Sequence, residues 1–401
     1  MSSRGKRPCP DPVVCALKRY RNAKDAFERV ATTNPRQWLY LFDDEGVVFS
    51  ETHSRFAGLD AAGVSAYRAF DAGARVEDLR KYNGAHNLAP ASADALETIH
   101  ALSQGTFPAE DASADWPVFA QSKVTNSRPA NIEIYGIPVS LEYPAGPLEH
   151  LCQDYFQNCT PATQSARCHL SAQFTEKGWA ILVNGREFFL LQREEQLGLG
   201  LMHAARSLLY AEGKYDVAFH AAMVAYGDCG VMLSAPREYG KSTLAAYLVS
   251  QGFDLLTDEP VLLDLNTCTA ASLCLPISLK QASWSVLRPQ WPQLADAPIH
   301  VRSDGMEISL VHPPIERCSA GPRPLTHIVF PQYRPSFAAQ SEPLNSVHTL
   351  SLLNEGGMLL ARDLAREQFE AFLKLICRTP AYKVLYSSLE DAYSMLQTLT
   401  S

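Results

Sequence analysis

The sequence predicts a mixed α/β protein in which a strand–loop–helix unit in the second half follows a smaller module at the front. Two observations predict the parts: an apolar run, a tight loop and a helix over 231–251, and a β-hairpin followed by helical segments over 38–102. A third is the polar, proline-containing stretch between them, over 106–128, which reads as a linker.

These shifts in composition divide the 401 residues, a length that suits two or three domains. The predicted segments are a polar extension over 1–34, a small winged-helix domain over 35–107, a linker over 108–129 and an α/β domain over 130–401.

Composition and charge exclude several classes of protein. With 46% hydrophobic and 19% charged residues the chain is globular, and its net charge of -8 argues against nucleic acid as a partner. No apolar run reaches membrane-spanning length and the N-terminus lacks the apolar core of a signal peptide. We therefore expect a cytoplasmic protein with no membrane partner. Basic residues cluster in the first 29 positions, where a solvated terminus is favoured over an anion-binding arm.

The polar extension carries one predicted helix, over Val14–Val30, and the front module that follows begins with a β-hairpin. The hairpin joins Trp38–Phe42 to Val47–Phe49 through a turn that ends at Gly46. Asp60 is a helix-capping residue, and helical spacing of apolar residues follows it as far as Gly73. Two further helices are predicted, over Arg75–Tyr82 and Ala91–Leu102. A hairpin with three helices is a small winged-helix arrangement.

Over 37–107 the chain resembles the PqqD-like family of peptide chaperones, also called RiPP recognition elements. The resemblance rests on LYLFDDEGVVFS, LDAAGVSAYRAFDAG and ADALETIHALSQG. It implies that the leader of a ribosomally made precursor peptide adds a strand to the exposed hairpin edge and lies against the last helix. A winged helix that has no ligand is the alternative.

The beginning of the second domain carries weaker signals. Strand-like spacing covers Ile132–Leu141, a helix is predicted over Leu148–Gln157, and Gly178–Leu191 alternates around an Asn-Gly turn as a second hairpin. Leu197–Tyr210 is helical. The one cluster of potential metal ligands has spacing that matches no familiar zinc site, so free buried thiols are favoured. Its members are Cys152, Cys159, Cys168 and His169.

The segment VMLSAPREYGKSTL carries the strongest chemical signal in the chain. A Gly-Lys-Ser between a buried strand and a helix that begins at Lys241 suits a triphosphate. Backbone amides surround the anion, the Lys241 ammonium reaches the β- and γ-phosphates, and the Ser242 hydroxyl joins the shell of Mg²⁺. Ala235 replaces the usual first glycine of this motif. The residues predicted to hold ATP are Ala235, Pro236, Arg237, Glu238, Tyr239, Gly240, Lys241, Ser242 and Thr243.

Two carboxylates follow the next apolar strand. Phe253–Thr257 delivers Asp258 and Glu259 at its end, where folds with a phosphate loop hold Mg²⁺. The same position suits a base that takes the proton of a substrate hydroxyl. We therefore predict Ser242, Asp258 and Glu259 as metal ligands. The alternative is that Asp258 caps the next turn.

From Ile132 to Leu396 the chain resembles the HPr kinase/phosphorylase superfamily, in particular its HPr-kinase-related branch. The match is strongest at FHAAMVAYGDCGVMLSAPREYGKSTLAAYLVSQGFDLLTDEPVLLD, and LPISLK, IVFPQYRP and YKVLYSSLEDAYSML are further family-like stretches. The resemblance implies a fold shared in outline with phosphoenolpyruvate carboxykinase, and ATP and Mg²⁺ as cofactors. It implies Asp258 as the catalytic base, His220 close to that base, and Lys280 within reach of the site.

The sequence departs from that family at several points. Thr243 stands where HPr kinase carries Glu, and no counterpart of the arginine loop linked to HPr recognition and phosphorolysis is visible. We expect a kinase for Ser or Thr hydroxyls of a ribosomally made peptide, whose leader is held by the front module. A kinase for a sugar or other small metabolite, and a nucleotide-gated peptide chaperone without phosphoryl transfer, stay open. The resemblance also leaves a homo-oligomer open.

Overall fold

The computed structural model describes residues 27–73 and 127–400, apart from 135, 213–214, 237, 320 and 362. It is a mixed α/β structure in which the described residues form four sheets. The predicted helices Arg75–Tyr82 and Ala91–Leu102, Arg237 and the predicted linker up to residue 126 lie outside the described residues. The linker prediction is wrong at its end, because residues 127–129 belong to a strand over Ser127–Ile134. The winged-helix arrangement of the front module therefore stays a prediction.

The front module contains an antiparallel sheet of four strands in chain order, followed by a helix. The elements are β1 (Glu28–Ala31), β2 (Gln37–Phe42), β3 (Glu45–Ser50), β4 (Arg55–Leu59) and α1 (Ala61–Asp71). The predicted hairpin is β2–β3. The Asp60 cap is confirmed, because its Oδ1 accepts a 2.7 Å hydrogen bond from the Gly63 amide.

Two expectations for this module need correction. The predicted helix Val14–Val30 is wrong in its last residues, because Glu28–Ala31 pairs with β2 as a strand, with Val30 opposite Leu39. Strand β4 was not predicted. In both cases the hairpin offers free backbone donors and acceptors at its edges, and pairing with them outweighs the local preference of the segment.

The front sheet packs on helices from the end of the chain. Phe49 stacks on Phe369 with ring centroids 4.0 Å apart, and Tyr40 and Phe56 lie against the same ring. Phe369 belongs to α7 (Arg366–Arg378), which follows α6 (Ser346–Glu355). The sheet therefore shares a hydrophobic core with the C-terminal part of the chain.

A second sheet of six strands packs against a long helix. Its order is β10-β9-β8-β6-β5-β7, and β6 and β8 run parallel. The elements are β5 (Ser127–Ile134), β6 (Ile137–Pro144), α2 (Glu149–Asp154), β7 (Thr160–Pro161), β8 (Cys168–Thr175), β9 (Gly178–Val183), β10 (Arg186–Leu191) and α3 (Leu197–Glu212). The hairpin around Asn184-Gly185 and the helix that begins at Leu197 are confirmed.

One strand prediction in this sheet is wrong. The run Ile132–Leu141 is not a single strand, because the chain reverses at Gly136, whose φ is +70°, and forms the hairpin β5–β6. Apolar spacing continues through the turn and hides it in the sequence. As predicted, the thiols of this region form no disulfide in the described part of the chain: Cys152 and Cys168 are buried and Cys159 is half-buried.

The central sheet has ten strands in the described residues. Its path is β14-β12-β13-β20-β16-β15-β11-β22, and β23 extends it by pairing with β20 and β21. The strands are β11 (Val217–Phe219), β12 (Ala221–Tyr226), β13 (Cys229–Ser234), β14 (Asp254–Asp258), β15 (Val261–Asp264), β16 (Thr269–Ala270), β20 (Arg323–Tyr333), β21 (Gln340–Leu344), β22 (Met358–Leu360) and β23 (Ala381–Tyr386). Helices α4 (Lys241–Ser250) and α8 (Leu389–Thr400) pack against it.

A small sheet with the strand order β17-β19-β18 lies beside α4. Its elements are β17 (Ile277–Lys280), α5 (Gln281–Leu287), β18 (His300–Val301) and β19 (Glu307–Val311). Helix α5 follows β17 along the chain. A disulfide that the sequence did not indicate joins Cys274, just before β17, to Cys318.

A buried aspartate ties this small sheet to the six-stranded sheet. Asp154 at the end of α2 accepts hydrogen bonds from the Nε2 atoms of His300, at 2.7 Å, and His312, at 3.0 Å. Gly198 at the start of α3 makes room for this cluster, because a Cβ there would lie 2.7 Å from the His300 ring.

Candidate active site

The predicted phosphate loop connects β13 to α4 as the sequence indicates. Helix α4 begins at Lys241, and Gly240 before it has a φ of +88°, a conformation that favours glycine. A Cβ at Gly240 would also approach the Tyr386 hydroxyl to 3.2 Å. The Lys241 ammonium donates to the carbonyl oxygens of Ala235, at 2.6 Å, and Pro236, at 3.3 Å. The loop therefore curls around the cation at the helix N-terminus.

Ser242 and Asp258 come together at the edge of this loop. The Ser242 hydroxyl donates to Asp258 Oδ1 at 3.0 Å, and the Ser278 amide of β17 donates to Oδ2, also at 3.0 Å. Asp258 is 4% exposed. Burial raises the pKa of this carboxyl, whereas the hydrogen bond from the Ser278 amide lowers it. The charge of Glu259 also raises the pKa, and the net shift is upward. A carboxylate with a raised pKa beside a phosphate loop is suited to accept a proton.

Glu259 faces a different set of partners. Its backbone has a φ of +62°, which is rare for a residue with a side chain. His220 Nδ1 lies 2.7 Å from Oε1, and Arg206 Nη1 lies 3.5 Å from Oε2. Burial would raise the pKa of Glu259, but the charge of Arg206 and the contact with His220 lower it to about 2, with help from the charge of Lys241. Glu259 is therefore ionised at neutral pH.

The backbone around His220 fixes this arrangement. The His220 amide donates to the Gly357 carbonyl oxygen at 2.9 Å, and the Glu259 amide donates to the Ala221 carbonyl oxygen at 3.0 Å. Strands β12 and β14 are neighbours in the central sheet, with Ala222 opposite Asp258. This pairing brings residues that are some 40 positions apart in the sequence into one site.

Arg206 is a site residue that sequence reasoning missed. It lies on α3, is 7% exposed, and donates through Nη2 to the Asp258 carbonyl oxygen at 3.4 Å. Its guanidinium carbon lies 5.9 Å from the centre of the Tyr155 ring. The signal that could have identified it is a lone cation in a helix that is otherwise rich in leucine and alanine, since buried charges are rare without a partner.

The remaining predicted residues lie at the rim of the loop. The Lys280 ammonium at the end of β17 is 3.0 Å from Glu238 Oε1, so this cation contacts the phosphate loop. Thr243 Oγ1 lies 2.6 Å from the Ser283 hydroxyl. Tyr239 is 40% exposed.

The predicted metal ligands fall into two groups by their contacts. Ser242 contacts Asp258, whereas Glu259 contacts His220 and Arg206. A hydroxyl and a carboxylate are oxygen donors of the kind that Mg²⁺ prefers, so the first group fits this ion. In the described ranges, no three or more His, Cys, Asp or Glu side chains are arranged as a metal-binding group.

Comparison with known proteins finds a weak structural likeness. Neither a protein-family model nor a curated protein matches this chain. Among solved structures, the HPr(Ser) kinase/phosphatase from Coxiella burnetii is similar over 45% of this chain and 96% of that chain, with 12% sequence identity and a TM-score of 0.22. None of the helices in the described ranges combines the length and hydrophobicity that a bilayer crossing requires.

Proposed function

We propose that this protein is an ATP- and Mg²⁺-dependent phosphotransferase with an HPr-kinase-like catalytic domain, acting on a Ser or Thr hydroxyl of a ribosomally made peptide. The observation that carries the proposal is the contact between the phosphate-loop hydroxyl of Ser242 and the buried carboxylate of Asp258. A helix N-terminus, a lysine and a carboxylate with a raised pKa then converge on one place.

The reaction follows from the positions of these groups. The substrate hydroxyl oxygen bonds to the γ-phosphorus, the bond from that phosphorus to the β–γ bridging oxygen breaks, and ADP leaves. Asp258 accepts the hydroxyl proton. Lys241 and the loop amides bind the β- and γ-phosphates, and Lys280 adds positive charge at the rim. The residues that would hold Mg²⁺ are Ser242 and Asp258, together with Glu259, which follows Asp258 in the sequence. Bound Mg²⁺ would neutralise phosphate charge.

The front module would hold the leader of the peptide. The predicted edges of the β2–β3 hairpin are not available, because β1 pairs with β2 and β4 pairs with β3. Within the described residues β1 pairs with β2 alone, so an added strand would pair with β1. A held leader raises the effective concentration of the acceptor hydroxyl at the site. This assignment rests on the resemblance of residues 37–107.

The test is phosphoryl transfer from γ-labelled ATP by the full chain in the presence of Mg²⁺. The acceptors are a panel of synthetic peptides that contain Ser or Thr, and a parallel panel of sugars and small hydroxyl metabolites. We expect label in the peptides and a mass increase of one phosphoryl group. Label in the small molecules alone would overturn the peptide assignment. ATP binding without transfer to any acceptor or to water would overturn the enzymatic one.

A further inference from the structure

Arg206 contacts the Asp258–Glu259 turn from a helix outside the central sheet. It belongs to α3, which packs against the six-stranded sheet, whereas Asp258 ends β14 of the central sheet and Glu259 follows it. Its guanidinium reaches both residues of the turn: Nη2 lies 3.4 Å from the Asp258 carbonyl oxygen, and Nη1 lies 3.5 Å from Glu259 Oε2.

Stability alone does not account for a buried arginine at this position. Arg206 is 7% exposed, and its Nε atom is buried without a hydrogen-bond partner. Burying a cation with one donor unsatisfied is costly, and apolar residues of similar volume often stabilise a core as well or better. The guanidinium of Arg206 contacts the Asp258–Glu259 turn and lies over the Tyr155 ring, which stabilises the cation.

The turn needs such support. Glu259 has a φ of +62°, a conformation that persists only where the surroundings impose it. Three elements impose it: α3 through Arg206, the β11–β12 junction through His220, and β12 through the Ala221 carbonyl oxygen, which accepts the Glu259 amide.

We propose that Arg206 is a positioning residue for phosphoryl transfer, which fixes the Asp258–Glu259 turn so that the Asp258 carboxylate meets Ser242 and the Glu259 carboxylate meets His220. This inference rests on the proposed function of the site. It connects α3 to the reaction through a contact that reaches the reacting groups only by way of the turn.

The variants are Arg206→Met, which keeps much of the length and removes the charge, and Arg206→Lys, which keeps the charge but cannot bind two acceptors with a planar fork. Arg186→Met is the matched control, because Arg186 is exposed on β10 of the same module. The probe is Mg²⁺-ATP with water as acceptor, so that no peptide is required. ATP affinity is measured separately with a fluorescent ATP analogue.

For Arg206→Met we expect kcat to fall roughly 10–100-fold, as when groups that orient reacting ligands are removed. The dissociation constant of the ATP analogue should change by less than about threefold, because the phosphate loop keeps its own contacts. Arg206→Lys should recover part of the loss, and Arg186→Met should match the parent chain. Equal losses of kcat and ATP affinity in both Arg206 variants would contradict a positioning role.

A double-mutant cycle with Glu259→Gln separates positioning from general destabilisation. If Arg206 acts through the turn, the kcat of the double variant should lie less than about threefold below the kcat of the more impaired single variant. Full additivity of the two losses would overturn the inference.

A readout without catalysis distinguishes this inference from the proposed function. Amide hydrogen exchange of the peptide over 255–262 should become at least about tenfold faster in Arg206→Met and stay unchanged in Arg186→Met. If the parent chain transfers no phosphoryl group, the proposed function fails, yet this exchange still judges whether Arg206 holds the turn. Unchanged exchange in Arg206→Met would overturn the inference even in an active enzyme.

Discussion

Asp154 and Asp258 are both buried aspartates, with 9% and 4% of their surface exposed, but their pKa values move in opposite directions. Burial raises the pKa of both. In Asp154 the hydrogen bonds from His300 and His312 outweigh burial, and the pKa is lowered. In Asp258 a backbone amide and a hydroxyl are weaker partners, the charge of Glu259 opposes ionisation, and the pKa is raised.

Under the proposed function, Asp154 joins elements of the fold and Asp258 takes part in the reaction. Asp154 accepts hydrogen bonds from two imidazole rings and joins α2 to the small sheet through them. The surroundings of Asp258 compensate a negative charge there only partly, and this carboxyl lies next to the Gly-Lys-Ser loop. Incomplete compensation at a conformationally fixed position is typical of functional sites. Four experiments test these two assignments.

Replacing Asp258, the proposed base, should have the largest effect. Asp258→Asn keeps the shape but cannot accept the hydroxyl proton, so we expect kcat for phosphoryl transfer to fall roughly 10³-fold. The measurement is release of labelled phosphate from γ-labelled ATP. Asp254→Asn, at the start of the same strand, is the control and should retain parent activity. An Asp258→Asn protein with full turnover would remove Asp258 as the base.

Replacing the loop lysine should have the next largest effect. Lys241→Met removes the ammonium that the loop surrounds, so kcat should fall roughly 10²-fold through lost stabilisation of phosphoryl charge. ATP affinity should weaken as well, as measured by titration with a fluorescent analogue. Lys177→Met, on the β8–β9 turn, tests for a general effect of removing a surface charge. If both variants behave alike, the loop does not hold the phosphates.

Replacing Asp154 should lower the free energy of unfolding and leave kcat unchanged. Asp154→Asn offers one oxygen and turns an amide N–H toward an imidazole N–H, so the free energy of unfolding should fall by about 3 kcal/mol, as when a buried pair is broken. Urea denaturation measures it. Asp304→Asn removes the charge from an exposed pair with Arg302 and should cost less than about 1 kcal/mol. A large loss of kcat in folded Asp154→Asn would place this cluster in the catalytic machinery.

The smallest effect is a pH dependence that follows from the lowered pKa of Asp154. Because the folded-state pKa lies below the ordinary value of 3.8, Asp154 contributes stability above that value and loses it as pH falls through the folded-state pKa. The stability gap between the parent chain and Asp154→Asn should therefore narrow as the solution is acidified below 3.8. Denaturation curves at several pH values check this, and a constant gap would contradict the assigned direction.

Much of the site was predictable because it is local in sequence. A strand, a loop with Gly-Lys-Ser and a helix share one short segment, so the motif predicts their geometry, and the structure places Ser242 against Asp258. The hairpin β2–β3 and the Asp60 cap were predicted for the same reason.

Other features depend on distant partners and were not predictable. The N-terminal residues 28–31 form a strand because the hairpin edge is available, and Gly136 turns a chain whose apolar spacing does not change. Arg206 contacts Asp258 because α3 packs beside the central sheet. No pattern in the neighbouring residues predicts that packing. The role of Arg206 became visible from the groups it contacts.

Local sequence patterns predict the Gly-Lys-Ser loop, the carboxylates that follow the next strand, and the α/β class, since each depends on residues close together in the chain. Only the packing of distant segments gives Asp258 and Glu259 different partners and opposite pKa shifts. The physical reason is that burial and charge compensation are set by neighbours in space. Two adjacent carboxylates therefore acquire different chemistry from the elements packed around them.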